Sequence, residues 1–199
     1  MTSTATPLDH APAQTPAAHA LPRLYLIRAL AALLWAGILL VAQPGQGVLL
    51  TVLLVAYPLL DAVAVAQQLR APLRGSGTGL SEKVNIAVSA VVAVALGVAS
   101  AISIPAVLVI WGLWAIGSGL PQLLTAIRRR RAGGQVPQML SGGISVLAGA
   151  SFAAQGVSGG EMLSGIGGYA VLGAVFFLVS ALRLALLARR SGGSIRTGL

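Results

Sequence analysis

The chain has no cysteine, and both of its histidines, His10 and His19, lie close to the N-terminus. Without cysteine there are no disulfide bonds, no thiolate catalysis and no cysteine-ligated metal. Since the apolar remainder also lacks histidine, zinc sites and Ser/His or Cys/His nucleophile pairs cannot be built there in the usual way. We therefore predict a protein that is not an enzyme and that holds no metal or cofactor.

Charged residues are also scarce. The 13 Lys and Arg and 4 Asp and Glu make up 9% of the 199 residues, against about 25% in soluble proteins. Hydrophobic residues account for 56% of the chain, and the mean hydropathy is +0.89. A soluble domain of this size would need a charged surface. The composition therefore excludes a soluble globular fold and predicts a membrane protein.

The net charge of +9 would suggest a nucleic-acid partner in a soluble protein. Beside apolar segments, however, arginines are better explained by membrane orientation and by anionic lipid headgroups. We predict the lipid bilayer and its anionic headgroups as partners, and no nucleic acid. A homo-oligomer or a second membrane protein stays open as a further partner.

Six apolar segments occur at about 24–42, 47–69, 84–102, 105–127, 137–155 and 162–188. Each has roughly the 20 residues that a helix needs to cross a hydrocarbon core of ~30 Å. The stretch 84–127 is long enough for two crossings, and Pro105 marks its turn. Residues 1–22, rich in Ala, Pro and Thr, are predicted to be a disordered cytoplasmic tail. Residues 23–190 form the transmembrane domain, and 191–199 a short cytoplasmic tail.

The predicted fold is all-α: a polytopic membrane protein with six transmembrane helices arranged as three helical hairpins, at about 23–70, 84–130 and 136–190. Each hairpin has a turn without Lys or Arg and closes in arginine, at Arg70, Arg128 and Arg189. Such repeats would be related by an axis along the membrane normal. By the positive-inside rule, both termini are cytoplasmic. Residues 29–42 alternatively suit the apolar region of a signal peptide, but its removal would break the repeat.

Small residues recur every four positions in three of the spans, which predicts close helix packing rather than a dedicated dimer motif. These stripes are Ser89, Ala93, Gly97 and Ala101; Ser145 and Gly149; and Ser164 and Gly168. Trp35, Trp111 and Trp114 are predicted to lie at the membrane interface or in the packing, in preference to a ligand cage.

Asp61 lies inside the apolar run VAYPLLDAVAVAQQLR, nine residues before Arg70. It should sit about 13 Å inside its helix end, where an ionised aspartate costs ~3 kcal/mol to insert. Arg28 and Arg183 are the cations near enough in depth to pair with it. Two interpretations stay open: a proton-sensitive site whose ion pair loosens on protonation, or a structural ion pair that fixes helix register. Asn85 is predicted to lie at a helix end, where water satisfies it.

A run of four arginines follows the fourth span: Arg128, Arg129, Arg130 and Arg131. We predict that it sets the topology and contacts lipid headgroups, with a specific lipid or protein site as the alternative.

The first two hairpins share a pattern of a glycine late in the first helix, a proline at the turn and a small or acidic residue nine positions before arginine. The pattern consists of Gly37, Pro44, Asp61 and Arg70, then Gly97, Pro105, Gly119 and Arg128. Over about 24–190 the chain resembles the HdeD family of small bacterial acid-resistance membrane proteins. The third hairpin departs from it, with Ser180 in the acidic position and no proline at its turn. The resemblance implies an inner-membrane protein connected with tolerance of acid or envelope stress, and it supplies no catalytic residue.

Two functions follow as hypotheses. The first is a non-enzymatic integral inner-membrane protein with a structural or stress-protective role. The alternative is a small transporter or channel subunit with a proton-linked Asp61. Transport needs a hydrated polar pathway, for which the sequence offers only Asp61 and scattered Ser and Gln, so the first hypothesis is favoured.

Overall fold

The computed structural model describes residues 17–70, 80–128, 130–132 and 136–193, and every element within these ranges is helical. The six long helices are α1 (Ala17–Ala42), α2 (Val48–Arg70), α3 (Leu80–Ile102), α4 (Ile104–Arg128), α5 (Val136–Val157) and α6 (Ser164–Gly193); a single 3-10 turn covers Arg130–Ala132. All six are long and apolar enough to cross a membrane. The protein is therefore a multi-pass, all-α membrane protein, as the composition and the apolar segments predict.

The helix ends differ from the predicted ones mainly at the N-terminus. Helix α1 begins at Ala17, so residues 17–22 are helical and do not belong to a disordered tail. The stretch 17–20 is rich in alanine, the best helix former, and extending an existing helix costs far less than starting one. Helix α6 likewise continues past the predicted end at 190 to Gly193. The rest of both predicted tails, 1–16 and 194–199, lies outside the described residues.

Local chemistry explains where the chain reverses. Ser103 alone separates α3 from α4, and its hydroxyl accepts the backbone N–H of Ala106 at 3.2 Å as an N-cap. Pro105 lies in the first turn, where a missing N–H breaks no helical bond. Helix α5 ends in a Schellman motif, in which the N–H of Gly160 bonds to the carbonyl of Gln155 at 2.7 Å. Gly159, at φ 78°, takes the left-handed position that this motif requires.

The helices pack in chain order around a ring, with close and sparse contacts alternating. Helix α2 packs closely on α3, α4 on α5, and α6 on α1, whereas α1–α2, α3–α4 and α5–α6 touch much less. Each close pair joins the second helix of one predicted hairpin to the first helix of the next. Three repeats around one axis would give this alternation, although the symmetry axis itself stays a prediction. The units of packing are thus α6–α1, α2–α3 and α4–α5, which we call the three close pairs.

Glycines allow the backbones of α4 and α5 to approach each other closely. A Cβ atom added to Gly112 would lie 2.5 Å from the carbonyl oxygen of Gly149, a separation that real side chains do not tolerate. Successive contacts are seven residues apart on each helix, which is the repeat of a left-handed supercoiled pair. The facing residues are Gly112 and Gly149, Gly119 and Gly142, and Pro105 and Gly156.

The predicted stripes of small residues are partly right. Buried as expected are Ser89, Ala93, Ser145 and Gly149, whereas Ala101, Ser164 and Gly168 are exposed. A four-residue repeat drifts around the helix surface, so it cannot follow one partner over several turns. The seven-residue repeat of glycine was the better guide to helix pairing.

Candidate functional site

A cavity of about 340 Å³ lies among the helices, and all six helices contribute to its wall. Each helix contributes at least one polar residue to the lining. In chain order, these include Arg28, Asp61, Asn85, Gln122, Ser145 and Tyr169. Polar groups inside a bundle surrounded by lipid cost free energy unless they find partners. Their concentration on one internal surface sets this cavity apart from the apolar packing around it. We call it the central cavity.

One end of the bundle carries most of the exposed charge. The exposed residues that the structure describes at this end are Arg70, Lys83, Arg128, Arg130 and Arg131. Arg129 lies outside the described residues. We call this the basic end, and its predicted contact with lipid headgroups stays a prediction. The central cavity extends towards it, because Gln122 precedes Arg128 by less than two turns and Ser141 follows the start of α5 closely.

Aromatic rings bound the central cavity on the side away from the basic end. Trp35 stacks on Trp111 with a centroid distance of 5.4 Å and an angle of 14°. Tyr57 lies 4.6 Å from Trp35, and Trp114 meets Trp111 edge-on at 5.4 Å. Tyr57 and Trp114 also line the cavity. Four aromatic rings, each in contact with at least two of the others, thus close this side of the cavity.

The three tryptophans have different surroundings. Trp35 and Trp111 are 4% and 0% exposed, so they belong to the core rather than to an interfacial belt. The indole Nε1 of Trp35 donates to the carbonyl of Leu53 at 2.6 Å. The Nε1 of Trp111 finds no hydrogen-bond acceptor among the described residues. Packing is therefore the role of the first two, while Trp114 offers a ring to the cavity.

Asp61 and Arg28 meet in the cavity wall. Nη2 of Arg28 donates to Oδ1 of Asp61 at 2.5 Å, and the two side chains are only 15% and 23% exposed. The other oxygen, Oδ2, accepts from Nδ2 of Asn85 at 3.1 Å and from Oγ of Ser89 at 3.4 Å. Asn85 and Ser89 are one helical turn apart, so α3 presents both donors to the same oxygen. Both carboxylate oxygens are thus hydrogen-bonded.

The guanidinium of Arg28 has a second neighbour. Its Cζ lies 4.3 Å from the ring centroid of Phe177 on α6, a cation–π distance. Arg28 and Phe177 belong to the close pair α6–α1, whereas Asp61, Asn85 and Ser89 all belong to α2–α3. The ion pair is therefore a link between two close pairs, made across the sparse α1–α2 contact.

The sequence left Arg28 and Arg183 as candidate partners of Asp61, and the structure distinguishes between them. Arg28 contacts the carboxylate, whereas Arg183 is exposed on α6 and forms no ion pair within the described ranges. Phe177 occupies the place on α6 beside the pair, and Arg183 lies about 9 Å farther along that helix by the usual rise. Asn85 lies near the start of α3, as predicted, and its amide donates to Asp61, a partner that the sequence did not indicate.

A recess of about 240 Å³ lies on the other side of the ion pair, between α1 and α2. It shares Arg28, Tyr57, Asp61 and Phe177 with the central cavity. Its remaining lining is largely apolar and includes Leu60, which is 49% exposed on the outer surface of the bundle. The Arg28–Asp61 pair therefore separates the central cavity from a recess on the lipid-facing side.

Sequence reasoning found the charged residues of this site and missed their neutral neighbours. Asn85 and Ser89 carried a usable signal, since they are polar residues at i and i+4 in an apolar helix. Phe177 carried none, because a phenylalanine in an apolar helix is expected anywhere on its surface.

Comparison with known proteins finds no family model, no curated relative and no solved structure that matches the chain. The resemblance to the HdeD family thus depends on the quoted glycine, proline and arginine pattern alone.

Proposed function

We propose that the protein is a small transporter that binds a solute in the central cavity, with Asp61 as its proton-linked group. The observation that carries the proposal is a cavity walled by all six helices with the Arg28–Asp61 pair in its wall. A purely structural bundle gains nothing from such a cavity, since protein interiors are close-packed and buried polar groups are costly. The transporter hypothesis is therefore better supported than the structural one.

The size and lining of the cavity suit a small metabolite. A volume of about 340 Å³ lies at the lower end of the range of about 300–1,000 Å³ for small-molecule sites. Tyr57 and Trp114 offer aromatic surface, while the hydroxyls of Ser118 and Ser141 and the amide of Gln122 can bond to a polar group. A solute with one polar group and a compact apolar body fits these walls.

The alternation of close and sparse helix contacts supports a mechanism of access. Secondary transporters expose their sites by rocking one rigid group of helices against another around a fixed site. Here the close pairs α6–α1, α2–α3 and α4–α5 are suited to act as such groups. The Arg28–Asp61 bond links two of them beside the hydrogen bond from Trp35 to Leu53, so its loss would weaken the contact between α1 and α2.

Protonation of Asp61 would weaken that link, because a neutral carboxyl attracts the guanidinium far less. The charged or titratable groups that face Asp61 are Arg28 from α1, Tyr57 from its own helix and Tyr169 from α6. Helix α3 contributes only the neutral Asn85 and Ser89, and the described lining from α4 and α5 includes no titratable side chain. A proton on Asp61 therefore changes the charge balance of the whole cavity.

Uptake into proteoliposomes tests the proposal, with radiolabelled lactate, alanine and ethanolamine as an anion, a zwitterion and a cation. We expect faster uptake of at least one compound than in protein-free vesicles, and loss of its pH dependence in Asp61→Asn. Gly173 lines the cavity with room for a side chain, so Gly173→Leu should block uptake. The matched control is Gly168→Leu on the same helix, where an added Cβ meets nothing within 4 Å and the residue is exposed. Uptake no faster than in empty vesicles for all three compounds, or equal uptake by both glycine variants, would contradict the proposal.

The proposal also includes the membrane, the orientation and the physiological role of the protein. The basic end supports cytoplasmic termini, and the HdeD-like pattern supports a bacterial inner membrane. The absence of cysteine, and of histidine beyond His19, supports a non-enzymatic function. The HdeD-like pattern supports a part in acid or envelope stress, which a transporter that moves protons with a solute would serve.

A further inference from the structure

We infer that the solute is a small monocarboxylate, which binds to Arg28 when Asp61 takes up a proton. The inference rests on the proposed transporter function and names the substrate class of the same site. Within the described wall of the central cavity, Arg28 and Asp61 are the charged side chains. They form one ion pair, so the cavity is electrically neutral when it holds no solute.

Charge balance selects the anion among singly charged solutes. Net charge inside a bundle surrounded by lipid is strongly unfavourable. An anion that binds together with a proton on Asp61 leaves the cavity neutral. A cation would leave it with net positive charge, because the arginine guanidinium does not lose its proton in proteins. Binding of an anion should therefore be coupled to uptake of one proton.

The hydrogen bonds of Asp61 already fit its protonated form. Asn85 and Ser89 both donate to Oδ2, so this oxygen would act as the carbonyl oxygen of a neutral carboxyl group. The proton would sit on Oδ1, the oxygen that now accepts from Arg28. From there it can be donated to a carboxylate of the solute. The solute would thus bind between the guanidinium of Arg28 and the protonated Oδ1.

Arg28 suits a carboxylate better than a single point of negative charge. Its planar guanidinium presents paired N–H donors that match the two oxygens of a carboxylate. The Asp61 contact uses Nη2 alone. The ring of Phe177 supports the guanidinium from α6 at 4.3 Å, so Arg28 keeps one neighbour when it leaves Asp61.

The surroundings favour the same class of solute. Exposed lysine and arginine at the basic end, together with a net charge of +9, attract anions towards the mouth of the cavity and repel cations. Inside, Trp114 and Phe176 provide apolar surface for the body of the molecule. The volume limits that body to a short chain or a single ring.

Binding measured by titration calorimetry on the full chain in nanodiscs tests the inference. Benzoate, benzylamine and benzamide are the probes, since they share a shape and differ in charge. We expect benzoate to bind with uptake of close to one proton, read from buffers of different ionisation enthalpy. Its affinity should be higher when measured at pH 6 than at pH 8, by up to tenfold per pH unit. Benzylamine and benzamide should bind more weakly and without proton uptake.

Substitutions of the ion pair sharpen the test. In Asp61→Asn the guanidinium is free at every pH, so benzoate should bind at pH 8 at least as tightly as it binds to the wild type at pH 6, without proton uptake. The double variant Arg28→Gln/Asp61→Asn has no unpaired charge that would prevent folding, and it should not bind benzoate. Glu161→Gln and Arg183→Gln, which remove an exposed charge of each sign, should behave as wild type.

The outcomes separate this inference from the function on which it rests. If benzamide or benzylamine binds, if Gly173→Leu abolishes that binding, and if benzoate does not bind, the solute class is wrong and the transporter proposal stands. Benzoate binding without proton uptake, or its loss in Asp61→Asn, also overturns the inference. If no probe binds at either pH, the inference is wrong, and the uptake of lactate, alanine and ethanolamine decides the transporter proposal separately.

Discussion

Asp61 shows how a charged group is accommodated in an apolar helix. An ionised aspartate at this depth costs ~3 kcal/mol to insert into a membrane. One cationic donor from α1 and two neutral donors from α3 offset this cost. The cationic donor is the largest single contribution, because both partners of its bond are charged, whereas Asn85 and Ser89 are neutral donors to the same carboxylate.

Removal of Arg28 should therefore destabilise the fold. Breaking a buried pair by removing one partner costs about 3–5 kcal/mol. The side chains here keep 15% and 23% exposure, so we expect about 2–3 kcal/mol for Arg28→Gln. The double variant with Asp61→Asn should recover most of this loss, because no charge stays unpaired. Thermal and denaturant unfolding in detergent, followed by tryptophan fluorescence, measures both.

Arg183→Gln is the matched control, because it removes the same charge from an exposed position on α6. Its free energy of unfolding should stay within about 0.5 kcal/mol of the wild-type value. Equal losses in the two glutamine variants would show that the Asp61 contact contributes nothing to stability.

At this scale the sequence predicts only part of the site. Asp61 and Arg28 could be identified because a charge inside an apolar run needs a partner. The choice between Arg28 and Arg183 could not be made, because depth can be read from a sequence, whereas which helices are neighbours depends on tertiary packing. Phe177 could not be identified from the sequence for the same reason, since its contact with Arg28 arises only from the position of α6 beside α1.

Among elements, the helices themselves were more predictable than their pairing. Apolar length gives the spans, and the chemistry of Ser103 and Pro105 gives the sharp turn between α3 and α4. The close pairing of α4 with α5 depends instead on glycines that face each other across the interface. A sequence shows where glycines lie, but not which helix they face. The helices that follow each other through the short turns, α1–α2, α3–α4 and α5–α6, touch little, whereas the close pairs include the first and last helices of the chain.

Gly149→Ala tests the α4–α5 interface. The new Cβ would lie 2.6 Å from the carbonyl oxygen of Gly112 and 2.9 Å from the backbone nitrogen of Ile116, so the helices must separate. Overpacking of this kind costs about 1–3 kcal/mol. We expect a loss of that size in unfolding experiments in mixed micelles.

The control lies on the same helix. An added Cβ on Gly143 meets nothing within 4 Å, so Gly143→Ala should keep or raise stability by up to about 1 kcal/mol through helix propensity. A loss as large as that in Gly149→Ala would mean that glycine matters for α5 itself and not for its contact with α4.

For the whole molecule, the arrangement consists of three close pairs around a polar cavity, with two of them tied by one ion pair. Each close pair has a continuous packed interface, so it should move as a unit, whereas the sparse contacts between pairs allow displacement. The Arg28–Asp61 bond lies at the sparse contact between α1 and α2, where a change of charge can alter the relative position of two close pairs. Protonation of one residue could in this way shift the relative position of whole helices.

Distances between spin labels test this coupling, and the absence of native cysteine means that no background thiol has to be removed. Labels at Ile27→Cys and Val63→Cys report across the α1–α2 contact, while labels at Val63→Cys and Val88→Cys report within the pair α2–α3; all three positions are exposed. Lower pH, or Asp61→Asn at neutral pH, should lengthen or broaden the first distance by a few ångströms and leave the second unchanged. Rigid-body motion requires this difference, because a close pair keeps its own packing while it moves. Equal changes in both distances would indicate general loosening of the bundle, and no change in either would show that the ion pair does not hold the two pairs together.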